Sequence, residues 1–193
     1  MQMSREWAMP NAKTFKIKPI RDLIERYSKE INPNNSNTKI CLDPFANEHP
    51  IATTVFSNWN YISNNIDSQY NCNYNLDAEE FLKQYEEDSI DLVLNDPVWT
   101  LRQLSEVYKR VKGTVTMEDT QSTSRYKKAI ARVAKMGGYV ISCGFNSNGI
   151  GKGLGFEIVE ILLVAHGGSH NDSIVVVERK VDNPTKLPKT PKN

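Results

Sequence analysis

The chain has 193 residues, 24 Lys and Arg against 23 Asp and Glu, a formal charge of +1 and 39% apolar residues. That length fits one globular domain burying roughly two thirds of its unfolded surface and argues against a second full domain. The charge balance excludes a chain-wide nucleic-acid surface, so any such surface must be local. The longest apolar run, around Val159 to Ala165, falls far short of the roughly 20 residues a membrane span needs. Arg5, Glu6 and Trp7 stand where a signal peptide would carry its basic and apolar regions, so a cytoplasmic protein without a membrane partner is expected. Cys41, Cys72 and Cys143 are odd in number and far apart, which predicts free thiols in place of a disulfide framework or a zinc knuckle.

In chain order, helical periodicity first covers Pro19 to Glu30, opened by a proline at a favoured helix-start position. Two β-rich runs follow at Lys39 to Leu42 and Ala52 to Phe56, then a helix at Ala78 to Tyr85 and a strand at Ile90 to Leu94. Helices are predicted at Leu101 to Val111 and Arg125 to Lys135, and strands at Tyr139 to Cys143, Val159 to Val164 and Ser173 to Val177. Asn clusters at Asn32 to Asn37, Asn58 to Asn65 and Asn71 to Asn75 read as loops, because the Asn side chain competes with the backbone for hydrogen bonds. Strands alternating with helices predict an α/β sandwich with a mostly parallel sheet. Only Gly167 to Asp172 separate the last two strands, too few residues for a parallel crossover, so that pair is expected to be antiparallel. Residues 1–180 thus form the domain, and the Pro- and Lys-rich residues 181–193 read as a mobile basic tail.

Charge is patterned along the chain. Leu76 to Asp96 carries eight acids against one base, and Leu101 to Lys135 nine bases against three acids. Such runs mark either two solvated faces or a local basic surface. In an open parallel sheet, ligands lie at the carboxyl ends of the strands, which directs attention to Asp43-Pro44-Phe45-Ala46, Asn95-Asp96-Pro97-Val98-Trp99, Gly144 to Gly149, and His166 to Asp172.

The segment DLVLNDPVW, residues 91–99, resembles the catalytic motif of the class I S-adenosylmethionine-dependent DNA amino-methyltransferases. That motif is an acid or amide, two prolines and an aromatic following a buried strand, with Val98 here replacing the second proline. An exocyclic amine conjugated with its ring is a poor nucleophile, so acceptors must hold its N–H groups as the methyl group arrives. The resemblance implies that Asp96 and the Pro97 carbonyl do this, and that Trp99 stacks on a base taken out of the duplex. Lys18 with PIRDLI resembles the helix start that lines the family's cofactor pocket, and Asp43-Pro44-Phe45 its Asp-Pro-Phe motif. Together with Asp77 and KMGGYVISCG, these matches span about Phe15 to Lys180 and look like short methyltransferase-like proteins of phages and mobile elements.

The resemblance implies a Rossmann-like sandwich with seven strands and a final antiparallel hairpin. It also implies a cofactor site formed by Phe15, Lys18, Pro19, Asp43, Pro44, Phe45, Asn58 and Asp77. Two departures stand out: Ala46-Asn47-Glu48-His49 replaces a glycine-rich turn, and Ser57-Asn58 stands where an acid commonly meets ribose. The expected activity is methylation of adenine N6 in DNA. Cytosine N4 is the alternative with the same chemistry, and an inactive DNA- or partner-binding module is the rival class. The DNA contacts expected are Arg102, Lys109, Arg110 and Lys112 within a basic surface running to Lys135, with Lys152 of GIGKGLG over the pocket. The short span from Thr100 to Arg125 leaves little room for sequence readout, so a homodimer or another subunit is a candidate source of target recognition. His166, His170 and Asp172 read as an active-site rim and not as a metal site, since their glycine-containing stretch is not helical. Trp7 and Met9 either pack on the core or close over the cofactor.

Overall fold

A computed structural model describes residues 1–33, 38–47, 51, 54–168 and 170–182. Its strands are β1 (Gln2–Trp7), β2 (Lys39–Asp43), β3 (Trp59–Ser63), β4 (Ile90–Asn95), β5 (Ala134–Gly144), β6 (Phe156–Ala165) and β7 (Ser173–Lys180). They form one seven-stranded sheet of order β1-β6-β7-β5-β4-β2-β3. Every pairing is parallel except those of β7 with β5 and β6. The expected antiparallel hairpin is therefore present, and the architecture is the Rossmann-like sandwich anticipated from the alternation of elements.

The helices are α1 (Lys18–Ile31), α2 (Ala78–Lys83), α3 (Leu101–Lys112), α4 (Met117–Thr120) and α5 (Ser122–Val133). Strand β4 is buried throughout, so successive side chains feed two cores. Leu92 and Leu94 join Ile20, Leu23, Ile24 and Tyr27 of α1 on one face. Val93 joins Phe81, Leu82, Tyr126 and Ile130 of α2 and α5 on the other. Each fully buried aliphatic or Phe side chain contributes about 1.5–3 kcal/mol. A buried carboxylate fastens the first layer: Glu160 of β6 accepts from the Arg26 guanidinium at 2.7 and 2.8 Å and from the Tyr27 hydroxyl at 2.9 Å.

Three expectations about elements are corrected. The second strand is not at Ala52 to Phe56: Thr54 and Val55 form a turn, Phe56 is outside any strand, and Ala52 and Thr53 lie outside the described residues. The strand is β3, inside the Asn cluster read as a loop. Pairing with β2 outweighs the poor strand preference of Asn60, because Trp59 and Tyr61 bracket the buried Phe56 ring. The seventh strand is the N-terminal β1, which sits outside β6 in parallel register from Gln2–Glu160 to Trp7–Ala165. Its burial pattern shows no alternation that a periodicity reading could detect. Finally, β5 begins at Ala134 and not at the expected Tyr139, so Gly137 and Gly138 lie within it, beside a register shift against β4. Gly137 has φ +77°, and a Cβ on Gly138 would meet the Lys135 carbonyl oxygen at 2.9 Å, so only glycines fit this bulge. The tail beyond Asp182 lies outside the described residues.

Candidate active site

Parallel β2 and β4 are neighbours whose crossovers leave in opposite directions, a topological switch point at which open α/β sheets bind ligands. A cavity of about 410 Å³ lies there, within the size range of small-molecule and cofactor sites. Its floor is made by the residues that follow the two strands, Pro44 and Phe45 after β2 and Asp96, Pro97, Val98 and Trp99 after β4. Asn65 and Ile66 after β3, Tyr70, Asp77 and Ala78 form one side. Ser122, Thr123 and Tyr126 at the start of α5 form another, and Asn11, Ala12 and Thr14 close the N-terminal side.

Helix α3 is the roof. Gln103, Leu104, Val107 and Tyr108 fall at helical i, i+3 and i+4 spacing and line the cavity, while Tyr108 is the buried residue of this helix. The apolar face of α3 thus covers a cavity in place of a packed core. Two ties hold it there: the Tyr108 hydroxyl donates to Asp77 at 2.7 Å, and Arg110 pairs with Asp67 at 2.6 Å. Its first turn is closed by a capping box of Thr100 and Gln103 and its end by Gly113 in the left-handed conformation.

The carboxyl groups of the floor are unusual. Asp43 is fully buried, accepts from the Tyr61 hydroxyl at 2.7 Å and the Phe45 N–H at 3.3 Å, and is pushed up to about 7, chiefly by burial. The Asp96 charge adds to that rise, while the Tyr61 hydrogen bond opposes it. Asp96 is pushed up to about 6 by burial, with the Thr14 hydroxyl and the Trp99 indole opposing the rise. The Trp99 Nε1 to Asp96 Oδ1 separation is 3.4 Å. Asp77 N-caps α2 by accepting from the Glu79 N–H at 3.0 Å.

Of the residues expected at the site, Asp96, Pro97, Trp99, Pro44, Phe45, Asp77 and Arg110 line the cavity. Asp43 lies beneath it. Phe15 is buried in the α1 core, Lys18 is exposed and paired with Asp22, and neither they nor Pro19 line the cavity. Asn58 is displaced outright: it precedes β3, and the carboxyl end of that strand belongs to Ser63, Asn64 and Asn65. Asn64 is buried and ties Pro44 and Leu76 together through its side-chain amide. Ala46, in place of the glycine-rich turn, accepts from the Asn65 amide at 2.9 Å and gives its N–H to Asn64.

The basic surface is also redrawn. Arg102 pairs with Glu106 and Lys112 with Asp119, while Lys109 is carried on the same helix. Lys135 pairs with Asp91 near the amino end of β4, and Lys152 lies before β6, so both are at the edge of the sheet opposite Asp96. GIGKGLG does not cover the cavity: it returns across the α5 face to the start of β6, held by Glu178 accepting from the Ile150 and Gly151 N–H groups. His166 sits at the expected edge but not on the cavity wall. It is a buried clamp, with Nδ1 at 2.8 Å from the Ala8 carbonyl and Nε2 at 2.9 Å from the Ser173 hydroxyl. His170 is exposed. Trp7 and Met9 are 64% and 68% exposed, so they neither pack on the core nor close over the cavity. Among the described residues no helix is long and apolar enough to cross a membrane.

The α3 face, Thr14, Asn47, Asn65, Tyr70 and Tyr126 are among the cavity residues absent from the sequence-based expectation. The helical spacing of Gln103, Leu104, Val107 and Tyr108 was a usable signal; nothing in the sequence distinguished Thr14 or Asn65.

No protein-family profile and no curated protein matches the sequence. Solved structures do resemble it. TrmN from Thermus thermophilus superposes with a TM-score of 0.57 at 14% identity, over 86% of this chain and 49% of TrmN. An rRNA methylase from Streptococcus thermophilus gives 0.55 at 11% identity, over 91% of this chain and 100% of its own. The 1,6-didemethyltoxoflavin-N1-methyltransferase of Burkholderia thailandensis, solved with 1,6-didemethyltoxoflavin and S-adenosylhomocysteine, gives 0.51 at 12% identity, over 86% and 84%. The chain therefore spans about half the length of TrmN and the full length of the rRNA methylase. At these identities the likeness establishes architecture: the chain has the Rossmann-like fold of class I methyltransferases.

Proposed function

We propose that the chain is an S-adenosylmethionine-dependent N-methyltransferase acting on the exocyclic amine of a nucleic-acid base, adenine N6 of DNA foremost. The observation that carries this reading is the presence of the Asp96-Pro97-Val98-Trp99 loop on the wall of the cavity at the switch point. The wall suits a cationic cofactor with hydroxyl groups and a ring, since it combines the acids Asp77 and Asp96, the amides Asn47 and Asn65, and the aromatics Phe45, Tyr70 and Tyr126. When bound, the cofactor supplies a methyl group on a positively charged sulfur. Asp77, at the N-cap of α2, is the candidate acceptor for its polar groups, and Phe45 and Tyr126, 5.0 Å apart edge to face, give it an apolar wall.

Asp96 holds the amine. Its carboxylate accepts an N–H, draws the nitrogen lone pair out of conjugation and favours the positive charge that grows on nitrogen. Thr14 and Trp99 both favour its ionised form, and the Trp99 indole donates to it. The Trp99 ring, anchored through its Nε1, offers a stacking surface worth about 1–3 kcal/mol to a base drawn out of a duplex. Cytosine N4 presents the same amine chemistry. The replacement of a glycine-rich turn by Ala46-Asn47 favours, as a second reading, a methyltransferase-like module that binds nucleic acid without catalysis.

Calorimetry with the cofactor and mass analysis of nucleosides from DNA incubated with enzyme and labelled cofactor test the reading. Labelled N6-methyldeoxyadenosine or N4-methyldeoxycytidine that disappears with Asp96→Ala is expected. Cofactor heat without methylated base would favour the second reading, and no heat at millimolar cofactor would end the first.

A further inference from the structure

We infer that the segment from Lys13 to Arg21, and not the basic stretch that follows the catalytic loop, holds the phosphate backbone of duplex DNA at the mouth of the cavity. The inference rests on the methyltransferase reading above for its substrate, and on the following geometry for its place.

Between Pro10 and Arg21 the sequence carries Lys13, Lys16, Lys18 and Arg21 and no acid. Between Leu101 and Thr120 four bases face three acids, and Arg102, Arg110 and Lys112 are matched with Glu106, Asp67 and Asp119. Exposed pairs of this kind add little stability, yet each cancels the charge that a phosphate would meet. Further along, Lys135 and Lys152 lie at the wrong edge of the sheet. The N-terminal segment therefore offers Lys16 and Arg21, neither matched by a described acid, where α3 offers Lys109.

Its conformation turns that charge outward. Thr14 opens a short 3-10 helix and, with Asp96, lines the cavity. Phe15 and Ile17 are 6% and 5% exposed and anchor the segment under α1. Lys16, between them, is exposed, and Arg21 is half-exposed one turn into α1. Neither Lys16 nor Arg21 forms an ion pair with a described residue, whereas Lys18 is paired with Asp22. Lys16 lies two residues from Thr14, a span of at most about 7 Å along the chain. A duplex whose extruded base enters over Trp99 and Asp96 would bring its flanking phosphates to this distance from the cavity.

Fluorescence anisotropy with a short duplex of mixed sequence, repeated between about 50 and 200 mM salt, tests the surface. Each neutralised phosphate contributes about 0.9 to the log–log slope, so Lys16→Glu with Arg21→Glu should lower the slope by about 2 and weaken binding at low salt at least about tenfold. The milder Lys16→Gln with Arg21→Gln should move both in the same direction, and thermal melting of each variant checks that it folds. Arg102→Ala with Glu106→Ala should leave the slope unchanged. Calorimetric cofactor binding should be the same in all of them. An unchanged slope in folded charge-reversal protein, no salt-dependent binding by the natural chain, or tighter binding of single-stranded RNA that the substitutions do not affect would overturn the inference. Loss of duplex binding in the variants together with no cofactor heat in the natural chain would uphold the surface and reject the methyltransferase reading.

Discussion

The Tyr108 hydroxyl donates to the Asp77 carboxylate at 2.7 Å, tying the roof helix to the residue that caps α2. Burial and the Asp77 charge raise the Tyr108 phenol above its usual range, so it remains a donor at physiological pH. Any ligand that takes Asp77 as an acceptor competes with this tie, which couples occupancy of the cavity to the position of α3. Removing a hydrogen bond to a charged acceptor at a half-open site costs about 1–2 kcal/mol, or roughly tenfold in an opening equilibrium. Tyr108→Phe should therefore speed amide exchange along Leu101–Lys112 by about that factor and leave β4 and β5 protected. Equal exchange in the two proteins would show that the tie does not hold the roof.

Asp96 must be ionised to hold an amine, and burial pushes it up to about 6. The rate under low-substrate conditions should then rise with pH through about 6 and level off above 7. Removing the Thr14 hydroxyl with Thr14→Val should move the rise to higher pH, because a polar group that favours the charged form is lost; Thr14→Ser should restore it. Asp96→Asn should lower the rate about a hundredfold or more. A profile that ignores Thr14 would separate this hydroxyl from the chemistry.

Asp43 gives a stability prediction of definite sign. Its folded-state value of about 7 lies above the ordinary carboxylate range, so between roughly pH 4 and 7 the folded chain binds more protons than the unfolded one. Stability from this group is therefore lost as pH rises through that window. Asn cannot ionise, and it keeps one acceptor for the Phe45 N–H while the Tyr61 hydroxyl is free to rotate and accept. The melting temperature of Asp43→Asn relative to the natural chain should increase steadily from pH 4 to pH 7.5. A difference that is flat with pH would mean that Asp43 is ionised throughout.

Much of the fold was legible because hydrophobic period and connection length are local signals. The run Ile90 to Leu94 and the brief link from Gly167 to Asp172 required a buried strand and an antiparallel pair, and both are present. What failed was non-local. β3 owes its strand state to β2 and to Phe56 between two rings, against the preference of its own Asn60. β1 adds to an edge with little burial to mark it. At the site, residues directly after β2 and β4 were readable, because parallel topology sends those loops to one edge. Asn58 was misplaced with its strand. Lys152 was misplaced because the chain from Gly144 recrosses the sheet before β6, a path anchored by Glu178, distant in sequence.

At the edge away from the cavity, Lys180 is 1% exposed, and its ammonium donates to Asp88 at 2.7 Å and to the carbonyls of Ala131 and Ala134 at 2.7 and 2.8 Å. It thereby closes the end of α5 with a fixed positive charge, favourable against the helix dipole. Lys180→Met keeps the stem but leaves two buried carbonyls without their donor and removes the ion pair with Asp88, a loss of about 3–5 kcal/mol. For a chain of this size that corresponds to a fall in melting temperature of roughly 10 °C. Because α5 reaches the cavity only through Ser122, Thr123 and Tyr126 at its other end, cofactor affinity measured well below the new transition should stay within about twofold. A large loss of affinity in protein that still melts cooperatively would show that α5 transmits strain along its whole length to the site.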